Sequence, residues 1–78
     1  MEEIELKIKR IVSEQLGIPI EQINPEHKFI DDLGGDSLDT VEMVLTLEDE
    51  FEFEVEEEIA EQLHTVRAVI ELVKSRLA

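Results

Sequence analysis

Three groups of residues in this 78-residue chain carry side chains able to do chemistry. They are Ser37, in the run Gly34-Gly35-Asp36-Ser37-Leu38, the histidines His27 and His64, and the acids spread from Asp31 to Glu42. A serine becomes a nucleophile only when a base lies within hydrogen-bond reach and a third group orients that base. His27 and His64 are the candidate bases, and nothing in the sequence places either beside Ser37. Asp36 and Asp39 would oppose the alkoxide that such a serine must form. The hydroxyl therefore reads as a site that another protein modifies, with an inconsequential helix-start serine as the plain alternative.

The acids call for one check. Asp31 to Glu42 spans twelve residues with an acid at each end, the length of an EF-hand calcium loop. Positions three and five would be Leu33 and Gly35, which offer no side-chain ligand, and position six, which needs glycine, is Asp36. That reading fails, and only weak, unspecific divalent binding is left open. No His/Asp/Glu cluster of metal-binding spacing surrounds the histidines, so no metal site is expected. There is no cysteine, which excludes disulfides, thiolate catalysis and sulfur-bound zinc. Gly34-Gly35 lacks the preceding strand and following lysine of a phosphate-binding loop. The pair can still let the backbone turn sharply and leave Ser37 open to a large protein.

The formal charge is −14, from 21 acids and 7 bases. Lys7, Lys9, Arg10 and Lys28 lie early and Arg67, Lys74 and Arg76 late; from Phe29 to Val66 there are fourteen acids and no Lys or Arg. Such a block repels nucleic acid and anionic membranes and steers toward basic protein surfaces. A solvated face that only keeps the protein soluble is the bland alternative. No apolar run approaches the ~18 residues that cross a bilayer. The acidic start, Met1-Glu2-Glu3-Ile4-Glu5, lacks the regions of a signal peptide, so a soluble cytoplasmic protein is expected.

The elements that must position Ser37 follow from periodicity. A first helix is predicted from about Glu3 to Leu16, with Ile4, Ile8, Ile11, Val12 and Leu16 on one face. Gly17 supplies a left-handed cap and Pro19 stops the helix resuming. Residues 17–36 form a connection long enough to need tying down, for which Ile18, Ile20, Ile23, Phe29, Ile30 and Leu33 are available, with a turn at Asn24-Pro25. A second helix runs from Ser37 to about Phe51, with Asp36 as N-cap and Asp39 as its capping-box partner. Met43, Val44, Leu47 and Phe51 form its core stripe; Leu38, Val41 and Leu45 form a second, partly exposed stripe interleaved with Glu42, Glu48 and Asp49.

Glu50 to Glu56 alternates with period two, but an isolated strand has no partner to pair with. It reads as a helix end and an extended connection that tucks in Phe53 and Val55. A short helix over about Glu57–Gln62 faces Ile59 and Leu63 inward. The last helix starts with Thr65 as N-cap and aligns Val66, Val69, Ile70, Val73 and Leu77. The expected fold is one all-α domain over 1–78, a small four-helix bundle of three longer helices and one short one with a long loop between helices one and two.

The segment Phe29-Ile30-Asp31-Asp32-Leu33-Gly34-Gly35-Asp36-Ser37-Leu38-Asp39-Thr40-Val41-Glu42 resembles the attachment region of acyl carrier proteins, most of all those of dissociated (type II) fatty acid synthesis. The similarity also takes in Glu14-Gln15-Leu16-Gly17, Leu47-Glu48-Asp49-Glu50-Phe51 and Thr65-Val66. The resemblance implies a carrier and not an enzyme. Ser37 would receive 4′-phosphopantetheine from coenzyme A through a Mg²⁺-dependent phosphopantetheinyl transferase, with Asp36 beside it for recognition or transfer. The arm's thiol would carry fatty acyl chains as thioesters. Leu38, Asp39, Val41, Glu42, Leu45, Glu48 and Asp49 would dock onto basic patches of synthesis enzymes, and Phe29, Met43, Leu47, Phe51, Val55, Leu63 and Val69 would line the acyl-chain cavity of a monomer.

Two departures stand out. Gly35 takes the place of a frequent alanine, which should loosen the loop, and Glu56-Glu57-Glu58 replaces better caps at the third helix. A carrier for a polyketide or other specialised acyl pathway is the alternative of the same kind; an acidic interaction module without a prosthetic group is the alternative of another kind.

Overall fold

The computed structural model describes residues 3–77, so Met1 and Glu2 of the acidic start lie outside the described residues. Four α-helices follow in order: α1 (Glu3–Leu16), α2 (Ser37–Phe51), α3 (Glu57–Ala60) and α4 (Val66–Leu77), with a 3₁₀ turn at Ile20–Gln22. Helix α1 packs against both α2 and α4. Ile8 and Val12 of α1, Met43 and Leu47 of α2, and Val66, Val69 and Val73 of α4 are fully buried where the three meet. Each such side chain contributes about 1.5–3 kcal/mol on burial, so the three longer helices carry the fold. No strand occurs among the described residues; the period-two segment is the end of α2 followed by an irregular connection over 53–56, as expected.

The end of α1 and the start of α4 are set by residues the pattern singles out. Gly17 adopts φ +69°, and its N–H and that of Ile18 both donate to the Ser13 carbonyl, at 2.8 and 3.2 Å. At the start of α4 the Thr65 hydroxyl accepts from the Ala68 N–H at 3.1 Å. Helix α2 ends at Glu52, in the left-handed region at φ +55°. Beyond it Phe53 is half-buried and meets Phe51 edge-on, with ring centroids 6.4 Å apart.

The long connection is fastened through its backbone more than its side chains. Asn24 Oδ1 accepts from the Glu26 N–H at 2.9 Å, which makes the expected turn at Asn24-Pro25. The carbonyls of Pro25 and His27 then accept from the N–H groups of Arg67 and Val66, at 2.8 and 3.1 Å. These two donors belong to the first turn of α4 and have no partner within their own helix. The Phe29 N–H donates to the His64 carbonyl at 3.0 Å, and Arg67 pairs with Glu26 at 2.7 Å. Ile23 and Phe29 are buried and Ile18, Ile20 and Leu33 half-buried.

Three expectations need correction. Ile30 does not tie the loop down; it is 52% exposed. Leu77 does not join the packed face of α4, because it lies past Val73, the last buried residue of that helix, and is 49% exposed. Helix α3 is a single turn over Glu57–Ala60, not six residues: the Gln62 N–H bonds back only to Ile59, a tightening that delivers Leu63 into the core.

Candidate functional site

Ser37 is the first residue of α2, and the local sequence builds that start firmly. The Asp36 carboxylate accepts from the Asp39 N–H at 2.9 Å while the Asp39 carboxylate accepts from the Asp36 N–H at 3.1 Å, a reciprocal capping box. One turn upstream, Asp32 accepts from the Lys28 N–H at 2.7 Å. Three acids of the Ser37 region therefore order backbone as well as contributing charge. Ser37 itself is exposed.

Gly35 corrects the expectation of a loosened loop. It is buried, and its N–H donates to the Phe29 carbonyl at 2.9 Å. A methyl group there would stand 2.9 Å from Leu16 Cδ2 and 3.2 Å from the Phe29 oxygen. Glycine at 35 allows the loop to press onto the end of α1, which fixes the approach to Ser37. Gly34, by contrast, is needed for its left-handed φ of +76°.

Neither histidine activates the serine. His27 Nδ1 accepts from the Asn24 N–H at 3.1 Å. His64 does border the same depression as Ser37, which the sequence did not indicate, but no hydrogen bond joins the two. Among the described residues no group of three or more His, Cys, Asp or Glu side chains could hold a metal ion.

Ser37 stands at the edge of a groove of about 780 Å³ between α2 and α3. Val41, Val44 and Leu45 form its α2 wall, Val55, Ala60 and Leu63 its α3 wall, and Phe29 and Ile30 close the loop side. Lys28, Asp31, Glu48, Glu57, Glu61 and His64 add polar groups. Of the seven residues expected around an acyl-chain cavity, Phe29, Val55 and Leu63 border this groove. Met43, Leu47 and Val69 do not; they are packed shut in the core, while Phe51 is half-buried with its ring 5.6 Å from Lys7 Nζ. The opening follows the flank of α2, bordering Val44 of the core stripe and leaving Met43 and Leu47 packed.

The second stripe of α2 is open to solvent, with Leu38 at 63%, Val41 at 55% and Leu45 at 59% exposure. Glu42 and Asp49 are exposed beside it, and the Gln15 amide donates to Glu42 at 2.8 Å. Glu48 differs from them: it is half-buried, and its carboxylate accepts from the Val55 N–H at 2.7 Å. Sequence reasoning missed several contributors to the site, Ala60 and His64 of the groove wall among them. Ile30 was detectable as an apolar residue beside the Ser37 motif; Arg76, which reaches Glu54 and Glu56 across twenty or more residues, and the inward use of Glu48 left no local signal.

These residues fit a phosphate-linked arm. An exposed hydroxyl begins a fifteen-residue helix, whose N-terminus favours an anion, and an apolar groove opens beside it. Comparison with known proteins agrees. The family described as phosphopantetheine attachment site matches residues 6–73. The fold is similar to a solved acyl carrier protein from Enterococcus faecalis, with a TM-score of 0.79 and 37% identity over 94% of this chain and 92% of that one. Members of this family bear 4′-phosphopantetheine. The chain thus belongs to the phosphopantetheine attachment family and is an acyl carrier rather than an enzyme.

Proposed function

We propose that Ser37 is the attachment residue and that the chain carries growing fatty acyl chains through dissociated (type II) fatty acid synthesis. The observation that carries this reading is one continuous surface: the Ser37 hydroxyl, the exposed Leu38-Val41-Leu45 strip with its acids, and the apolar groove all share α2. When bound, the 4′-phosphopantetheine arm supplies the thiol that this cysteine-free chain lacks and holds cargo as a thioester.

The chain's own residues divide the work. Asp36 and Asp39 hold the first turn of α2 in place so that the Ser37 hydroxyl stays presented to a transferase, which provides the base. Val41, Val44, Leu45, Val55 and Leu63 keep water from an acyl chain laid in the groove. Leu38, Asp39, Val41, Glu42, Leu45 and Asp49, with the outer edge of Glu48, offer a small apolar patch in an acidic surround. Such a patch suits basic enzymes that must bind and release quickly. A monomer working in the cytoplasm is part of the same proposal.

Incubation of the apo-protein with coenzyme A, Mg²⁺ and a broad-specificity phosphopantetheinyl transferase should add the mass of one arm, and Ser37→Ala should add none. No mass gain, or a gain that survives Ser37→Ala, overturns the assignment. Chain elongation with separately purified malonyl-transfer and ketosynthase enzymes of fatty acid synthesis then tests the pathway; loading without elongation favours a specialised acyl pathway.

A further inference from the structure

The two walls of the groove are fastened by different means. Helix α3 has four residues, none of them buried, and Glu56 at its N-cap makes no side-chain capping bond. A single turn has no stability of its own, so its position depends on what holds its two ends. The C-terminal end is anchored by Leu63 in the core and by the Phe29 N–H on the His64 carbonyl. The N-terminal end has no comparable apolar anchor, for Val55 is only half-buried.

That end is instead gripped by Arg76, from the last turn of α4. Its Nη1 donates to the Glu54 carbonyl at 2.7 Å and its Nη2 to the Glu56 carboxylate at 2.9 Å. The guanidinium also lies 6.0 Å from the centre of the Phe53 ring. A planar fork can make these contacts together, whereas an ammonium is a point charge. The Arg76 side chain is 29% exposed and that of Glu56 65%, so solvent screens the ion pair and the bond to the Glu54 carbonyl is the steadier of the two. From the other side, Glu48 holds the Val55 N–H.

We propose that Arg76 is a positioning residue for the groove: by fastening Glu54 and Glu56 to α4 it holds the α3 wall against α2 and sets how well cargo is sheltered. Arg76 does not line the groove itself. It acts through its neighbours Val55 and Glu57, which do. The inference rests on the reading of the groove as the cargo site, and the experiment separates the two.

Holo-protein is loaded with an octanoyl or an acetyl group, and thioester loss in mild hydroxylamine is compared for the native protein, Arg76→Gln and Arg76→Lys. In parallel, amide hydrogen exchange is measured on the apo forms. Arg76→Gln should release octanoyl roughly 3- to 10-fold faster, the scale of one or two partly exposed charged hydrogen bonds, and acetyl at the native rate. Exchange should quicken by a similar factor at Val55 and Ile59 and stay unchanged at Met43 and Val69. Arg76→Lys should recover only part of both effects. Equal acceleration of the two thioesters, or faster exchange at Met43 as well, overturns the proposal, because it marks general loosening. If native protein shelters octanoyl no better than acetyl, the cargo reading fails, while unchanged exchange at Val55 and Ile59 in Arg76→Gln refutes the role of Arg76 on its own.

Discussion

Helix α2 brings fifteen residues to the groove, a reciprocal capping box at one end, a left-handed cap at the other, and three buried side chains between them. Helix α3 faces it with four residues, no capping side chain and no buried residue. One wall is part of the core; the other hangs from it by Leu63 at one end and by Arg76 and Glu48 at the other. Free energy of local opening differs across a structure in this way, and the parts that must move come from its weak end. Here the division also separates tasks. Under the proposed function the firm wall holds both the attachment serine and the strip offered to partners, and the α3 wall is the one left free to adjust.

The contrast can be broken most severely at Leu47, which is fully buried on the firm side. Leu47→Ala should cost about 3 kcal/mol, read as a fall in the urea midpoint, and should unfold both walls together. A loss confined to α3 would erase the distinction. A smaller effect is expected at the start of α2: Asp36→Ala removes one half of the capping box and should cost about 1 kcal/mol in the same measurement. Exchange should rise at Asp39 and not at Val55, which sharpens the separation between the walls.

The smallest effect belongs to the hanging wall. The Arg76 hydrogen bond, ahead of its charge, holds the Glu56 carboxyl below its ordinary value of 4.5. A depressed carboxyl contributes above the unfolded value and loses that contribution as pH falls through the folded one. Glu56→Gln should therefore lower protection at Ile59 by the same factor at pH 8 and pH 6, and the difference should shrink toward pH 3.5. A difference that grew on acidification would reverse the sign.

The parts legible in the sequence are those fixed by neighbours within one or two turns. Ile8, Ile11 and Val12 mark the buried face of α1, Gly17 its end, and Asp36 with Asp39 the start of α2. The exposed stripe of Leu38, Val41 and Leu45 was legible because α2 holds more apolar surface than its core stripe needs. What stayed hidden depends on distant chain. Arg67 reaches Glu26 across 41 positions and Arg76 reaches Glu56 across 20, and nothing local announces either. Met43, Leu47 and Val69, expected around a cavity, are packed shut while the open groove lies beside α3, for a related reason. Apolar periodicity shows which residues face inward, but not whether the space they face is filled by α1 and α4 or left open beside α3.

Gly35 and Leu16 share one boundary, since a methyl carbon at 35 would stand 2.9 Å from Leu16 Cδ2 and would have to turn that side chain aside. The two positions are nineteen apart in the chain yet meet just upstream of Ser37. A larger residue at 35 should then be taken up by a turned side chain at 16. The address of Ser37 is thus written partly at the far end of the first helix.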